Sequence, residues 1–305
     1  MPETIGVILL AFGGADSPEA IEPFMTNLMG GRKPSPELVV RIKQRYQLIG
    51  GRSPLPLITR LQADALENYL NDSDANFKVV VGMRYWHPFI DEALDELIQA
   101  GVKKAVAVSL APFNSRVSTG TYEAELKRVL AEKSAGPEVV FAGGWYNHPM
   151  FTNAVADKVE ETFRQIPEER WKEVQVIFSA HSLPVAHINE GDPYVQEFEA
   201  AVAGVVRELG LKNWHIAYQS KGGGQGEWLG PMVEEVMDNL AAGGHKEVVV
   251  VPVGFVSDHI ETLYDIDIAQ KQHAASLGLV FYRTGSLNTS PGFIETLAAV
   301  VLDEL

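Results

Sequence analysis

The sequence predicts an α/β protein of two lobes, each built on a four-stranded parallel sheet flanked by helices. Three observations predict it. Eight short β-branched, apolar runs recur along the 305 residues, and amphipathic stretches of helical spacing lie between them. The length suits two units of about 150 residues, with room for two sizeable cores. Strand, helix, strand is the sign of parallel pairing, because parallel strands need a crossover and the crossover is usually a helix.

In chain order the runs are Ile5 to Ala11, Lys78 to Gly82, Ala105 to Leu110 and Val139 to Ala142, then Val174 to Ser179, His215 to Tyr218, Glu247 to Val253 and Leu279 to Tyr282. The helical stretches are Pro36 to Tyr46, Pro54 to Leu70, Asp91 to Ala100 and Tyr122 to Lys133, then Thr152 to Gln165, Tyr194 to Leu209, Pro231 to Ala242 and Pro291 to Leu302. The runs divide four and four, so residues 1–150 and 151–305 are expected to form one lobe each, with the last helix bracing one against the other. Ile21 to Leu48 breaks the pattern. It mixes Phe24, Met25, Leu28 and Met29 with Gly30, Gly31 and Pro34, and reads as an apolar lip over a cleft.

Composition narrows the chemistry. Acids outnumber bases 40 to 25, for a net charge of -15, which argues against a nucleic-acid partner. The chain has 0 cysteines, which excludes disulfides, thiolate zinc sites and cysteine-held iron–sulfur clusters. A bound metal must therefore use histidine, carboxylate or other oxygen ligands. No apolar run approaches the roughly 18 residues of a membrane span. Met1-Pro2-Glu3 leads into Ile5 to Phe12 without a basic leader or a cleavage site, so a soluble, cytoplasmic protein is expected, a monomer by the lack of unassigned apolar surface.

In open α/β sheets ligands sit beyond the carboxyl ends of the strands. Those ends carry Phe12-Gly13-Gly14, Arg84-Tyr85-Trp86-His87, Ala180-His181-Ser182, Gln219-Ser220-Lys221 and Ser257-Asp258-His259-Ile260-Glu261. A helix starting near Asp258 would put Glu261 and Asp265 on one face, four residues apart, able to share a cation. Asp258 could equally be an N-cap with Glu261 three residues on. An imidazole with carboxylates suits Fe²⁺, Zn²⁺ or Co²⁺, whereas Mg²⁺ or Ca²⁺ would ask for oxygen alone. His148, His187, His215, His245 and His273 lack such company and read as packing or surface residues. The stretch Lys221 to Gly226 lacks the Gly-Lys-Ser/Thr ending of a phosphate loop, and no Gly-x-Ser-x-Gly elbow is present.

Taken as long motifs, Phe178-Ser179-Ala180-His181-Ser182-Leu183-Pro184, Gly191-Asp192-Pro193-Tyr194, Gln219-Ser220-Lys221, Trp228-Leu229-Gly230-Pro231 and Ser257 to Tyr264 resemble the ferrochelatases. Ile49 to Leu55 and Gly82 to Pro88 do so in the first half. The resemblance covers nearly the whole chain. It implies two Rossmann-like lobes with a porphyrin cleft between them, and insertion of ferrous iron into the ring as a lyase of haem biosynthesis. Porphyrin and iron are then substrates, with no resident cofactor and no iron–sulfur cluster.

The resemblance also supplies roles. His181 would face the porphyrin centre, with Glu261 across the metal on the other side of the ring and Asp265 behind it. Phe12, Arg45, Tyr46, Ser53, Arg84, Tyr85, Tyr122, Trp228 and His259 fall where members meet the porphyrin. Phe12 cannot ligate iron as the tyrosine of some members can, and Ala269 cuts short the family's row of acids. Met29 stands where members acting on a four-carboxylate porphyrin tend to have arginine. The apolar lip therefore favours protoporphyrin over coproporphyrin and leaves peripheral membrane contact open. Two other readings remain: cobalt insertion into a more carboxylated tetrapyrrole, and a module that only binds haem or metal.

Overall fold

Strands buried on both faces read as unbroken apolar runs, and here they assemble into two sheets with the same order. The computed structural model describes residues 3–72, 76–224 and 226–305. Met1 and Pro2 of the N-terminal reading and Gln225 of the glycine-rich stretch lie outside the described residues. In the first sheet β1 (Ile5–Ala11), β2 (Phe77–Met83), β3 (Lys104–Ser109) and β4 (Glu138–Ala142) run in the order β2-β1-β3-β4. In the second, β5 (Gln175–His181), β6 (Trp214–Gln219), β7 (Glu247–Val251) and β8 (Val280–Arg283) run in the order β6-β5-β7-β8. Every pairing is parallel. The order reverses between β1 and β3 and again between β5 and β7, which places a crevice beyond the carboxyl ends of those strands.

The helices are α1 (Ile21–Leu28), α2 (Pro36–Leu48), α3 (Leu55–Leu70), α4 (Ile90–Gln99), α5 (Thr119–Glu132), α6 (Pro149–Phe163), α7 (Val185–Asn189), α8 (Tyr194–Leu209), α9 (Val233–Ala242), α10 (Lys271–Ser276) and α11 (Pro291–Leu302). The lip is α1 and α2. Ser35 starts α2 by accepting the Leu38 N–H, with Pro36 at the first helical position. Phe24 and Met25 turn inward and pack with Ile21, Val39 and Tyr46. A two-helix lip needs its own core, and that core takes up part of the apolar residues. Leu28, Val40 and Leu48, 44%, 55% and 63% exposed, remain outside and keep the lip's surface partly apolar.

The segment after β7 departs from expectation in its winding. Instead of an α-helix from Asp258, a π-helix runs over Glu261–Gln270 and passes into α10, with the Lys271 N–H reaching the Ile266 carbonyl five residues back. Such i→i+5 winding occurs mostly as single turns and often at functional sites.

One apolar cluster joins the two sheets. It holds Val106 and Val108 of β3, Val176 and Phe178 of β5, Phe151 of α6, Phe198 of α8 and Phe293 of α11. α11 packs on both α3 and α6, and Phe293 lies 6.1 Å from the Trp145 ring. Polar ties repeat the connection. Buried Gln62 on α3 donates to Ser257 Oγ and the Asn288 carbonyl, both at 2.8 Å. Asp192 accepts from Ser115 Oγ at 3.0 Å and the Arg116 N–H at 2.8 Å.

Because that core is shared, urea is expected to unfold both sheets in one transition by tryptophan fluorescence and circular dichroism. Phe293→Ala should lower the unfolding free energy by about 3–5 kcal/mol. Two separated transitions in the parent chain would show that each sheet folds alone.

Candidate functional site

β5 ends on His181, and β7, its neighbour in the sheet, feeds the loop that carries His259 and Glu261. Their side chains meet because the two strand ends are adjacent. His181 Nε2 stands 3.6 Å from Glu261 Oε1, and His259 Nε2 stands 3.4 Å from Glu261 Oε2. The His181 and Glu261 side chains are each about a third exposed, at 32% and 31%. Both groups approach from one lobe, so they cannot lie on opposite sides of a porphyrin. A ring between them would need at least twice the roughly 3.5–4.0 Å of a carbon contact. The expectation of Glu261 across the ring from His181 is corrected accordingly: the pair shares one side.

Second partners set the state of each group. His181 Nδ1 lies 2.6 Å from the Ser182 carbonyl, which only accepts, so Nδ1 carries the proton and Nε2 is the nitrogen free for exchange. His259 Nδ1 meets the Ser257 carbonyl at 3.0 Å in the same way. Buried Tyr194 donates to the His181 carbonyl at 2.9 Å and holds the strand end. Phe255, which the sequence reading missed, sits beside both rings, 6.5 Å from His181 and 4.9 Å from His259. Its only signal was its place four residues after β7.

The charges follow. Burial raises the Glu261 carboxyl, yet His181 and then His259 outweigh burial and hold it far below the usual carboxylate range. Burial opposes charge on His181, but Glu261, with the Ser182 carbonyl and Asp265, brings the ring above an ordinary histidine. For Asp265, burial raises the carboxyl, the Ser220 hydrogen bond lowers it, and the nearby Glu261 charge adds to the net rise. Glu261 is thus the ionised member, and Asp265 lies above the usual aspartate value.

Asp265 also has fixed neighbours. It accepts from Ser220 Oγ at 2.7 Å and lies 3.9 Å from Arg45 Nη1, whose guanidinium sits 4.9 Å over the Tyr264 ring. Ser220 adopts φ 56°, a left-handed conformation uncommon for a residue with a side chain, directly at the site. Asp258 does not face the metal side. Its carboxylate accepts from Thr262, Arg283, Ser286 and Asn288. That bears out neither a ligand nor a simple cap; it is an anchor.

The first lobe carries an aromatic rim of its own. Phe12 is 41% exposed, 4.7 Å from Tyr85 and 6.3 Å from Phe24. The pairing of β1 with β2 continues past both strands, with the Tyr85 N–H on the Phe12 carbonyl at 3.0 Å, which sets those rings side by side. Gly13 turns the chain there at φ 99°, and a Cβ would stand 2.9 Å from the Trp86 nitrogen. Arg84 reaches Glu125 at 3.5 Å and lies 5.1 Å over Tyr85, beside an open hollow of about 400 Å³ under Asn27, Leu28 and Gly31.

Other expected contacts are covered. Tyr46 is 2% exposed, Tyr122 4% and Ser53 3%, so they brace the lip and the sheet rather than offering a ring face. Burial pushes the Tyr46 hydroxyl up to about 12. Trp228 lies beside the loop after His181, bridged to Pro184, with its indole across Gly222, where a Cβ would stand 2.5 Å away. The glycine-rich stretch therefore makes room for Trp228. Among the remaining histidines, His148 caps α6 and His273 pairs with Asp238, both packing roles.

Chemically, two ligands about 2.1 Å from one tetrahedral ion stand about 3.4 Å apart. The 3.6 Å between His181 and Glu261 is therefore a span one ion can close with little movement. Among the described residues no group of three or more His, Asp or Glu is arranged to hold a metal.

Solved structures share this architecture. The sirohydrochlorin chelatase SirB of Bacillus subtilis subspecies spizizenii, in complex with cobalt, matches with a TM-score of 0.59 over 98% of this chain and 94% of that one, at 11% identity. CbiX, described as the terminal enzyme of sirohaem biosynthesis in denitrifying bacteria, matches at 0.56 over 98% and 99%, at 10% identity. At such identity the likeness shows the fold. Fold and site together define a two-lobed α/β protein with an imidazole–carboxylate pair beyond the strand ends of its second sheet.

Sequence narrows the class. The ferrochelatase family model matches residues 4–305. A ferrochelatase of Geotalea uraniireducens (strain Rf4) is 44% identical over 318 aligned residues, covering 99% of this chain and 98% of the relative. A coproporphyrin III ferrochelatase of Geobacillus sp. (strain WCH70) is 38% identical over 304, again covering 99% and 98%. The chain belongs to the ferrochelatase family.

The charge pair has a definite pH signature. His181 is raised from 6.5, so its contribution to stability is complete below 6.5 and is lost as pH rises through the folded value. Glu261 is lowered from 4.5, so its contribution is complete above 4.5 and is lost as pH falls through the folded value. The pair is at full strength between those limits. Glu261→Gln should lower the His181 pKa, read by NMR of the imidazole C–H. An unmoved titration would mean that Glu261 does not govern it.

Proposed function

We propose that the chain inserts Fe²⁺ into a porphyrin, with protoporphyrin as the ring, in the manner its family name states. The observation that carries the reading is the His181–Glu261 pair, a third exposed and spaced for one ion. The reaction exchanges two pyrrole protons for one divalent ion and leaves the ring neutral, a lyase-type step that needs no resident cofactor. Neither half proceeds readily on a flat, solvated ring. Aromatic rims that hold the macrocycle off planarity and dry expose its nitrogen lone pairs.

Roles follow from the proton map. In its neutral form His181 takes a pyrrole proton on Nε2 as general base, since Nδ1 is committed to Ser182. Glu261, ionised and shared between two imidazoles, meets the incoming iron and hands it to the ring from the same side. Asp265, four residues on and hydrogen-bonded by Ser220, takes up the protons that leave. Iron is a passing substrate in this scheme.

The choice of ring rests on the first lobe. Phe12 and Leu28 offer apolar surface to vinyl groups, while Arg45 and Arg84 supply charge for two propionates. Coproporphyrin has one observation in its favour. Residues 30–45 carry Arg32, Lys33, Arg41, Lys43 and Arg45 against Glu37 alone, a basic stretch in a chain of net charge -15.

Anaerobic insertion of Fe²⁺ into protoporphyrin and coproporphyrin, run side by side, tests both. Turnover is expected with protoporphyrin at the higher kcat/KM, and the reverse order would transfer the reading to coproporphyrin. His181→Ala should lower kcat by roughly 10²–10⁴-fold. Near-normal insertion by that variant would remove His181 from the chemistry. Tight haem binding without turnover on either ring would make the chain a binding module.

A further inference from the structure

A ten-residue π-helix must be held in its winding by something outside itself, because i→i+5 turns rarely persist beyond one. Arg283, the last residue of β8, grips this one from behind. Its Nε and Nη2 donate to the two carboxylate oxygens of Asp267 at 2.7 and 2.9 Å, and its Nη1 donates to Asp258 Oδ1 at 3.1 Å. The side chain is 12% exposed. Asp258 lies three residues before Glu261 and Asp267 six after it, so one guanidinium spans the acid that faces His181. Asp258 extends the grip to Thr262, next to Glu261, whose fully buried hydroxyl donates to Oδ1 at 3.2 Å.

We infer that Arg283 is a positioning residue for the metal-side acids, clamping Asp258 and Asp267 so that Glu261 and Asp265 keep their place against His181. The inference rests on the reading of Glu261 as the group that meets the metal. Only arginine suits the task, because two parallel N–H bonds hold one carboxylate while a third reaches another; lysine is a single point donor. With the fork lost, the segment is free to tighten toward i→i+4 winding, which turns Glu261 and Asp265 about the helix axis. His181 does not follow, since it belongs to β5. The Phe12–Tyr85 rim does not follow either, since it belongs to the first lobe.

The consequence is a split between substrates. With the full chain, Zn²⁺ and whichever porphyrin turns over, Arg283→Lys and Asp267→Asn are expected to raise KM for Zn²⁺ about tenfold or more. KM for the porphyrin should stay within about twofold, and Asp267→Glu should recover most of the loss by restoring a carboxylate to the fork. Should Arg283→Lys fail to fold, Asp267→Asn carries the test alone, because Asp267 sits at the edge of the clamp, 35% exposed. A lower melting temperature with both KM values unchanged overturns the clamp and leaves the chelatase reading standing. A joint rise of both KM values overturns it too. A parent chain that inserts neither Zn²⁺ nor Fe²⁺ overturns the reading of Glu261, and the clamp with it.

Discussion

His181 and Glu261 stand 3.6 Å apart because β5 and β7 are neighbours at a point where the sheet order reverses, and the site depends on that adjacency. Two strand ends side by side bring an imidazole and a carboxylate within reach of one ion, and they do so from one side. Each group then tunes the other. Glu261 stays ionised under burial because two imidazoles face it, and His181 favours its proton because Glu261 is there. Charge held in a partly desolvated place interacts more strongly than it would in water. The Ser182 carbonyl adds the one fact the pair cannot supply, namely which nitrogen is free.

A pair built on one lobe is useful only if the other lobe presents the ring to it. The structure couples the lobes through apolar packing and through buried polar ties, and the two act on different parts. The shared cluster around Phe178, Phe198 and Phe293 packs both sheets against one core. Gln62, by contrast, reaches from α3 to the loops after β7 and β8, where Asn288 in turn binds both the amide and the carboxylate of Asp258. Asn288 sits at φ 45°, a strained backbone position beside a functional loop. The π-helix is thereby tied to the first lobe as well as to β8.

The lip shows how packing rewrites composition. As a string of residues it is apolar, and as a pair of helices it spends Phe24 and Met25 on its own interior. Its outer surface keeps Leu28, Val40 and Leu48 together with a run of bases, so apolar surface and charge lie side by side.

Much of this was legible without coordinates. The eight strands, the division into two like sheets and the helices between them follow from periodicity, because strands buried on both faces must be continuously apolar and crossovers must be amphipathic. His181 and Glu261 were legible as polar residues following strands, with Asp265 four residues on, and the family motifs supplied the expected ring contacts, of which Tyr46, Tyr122 and Ser53 are buried. What the string of residues could not show is everything set by distance between segments far apart in it. The shared side of His181 and Glu261, the π winding of residues 261–270, the burial of Tyr46, Tyr122 and Ser53, and the reach of Arg283 to Asp258 and Asp267 belong to this class. Periodicity records which face of an element is buried, one element at a time. Which atoms then meet is decided by how elements pack, and i→i+4 and i→i+5 windings differ too little in residue pattern for the sequence to choose between them.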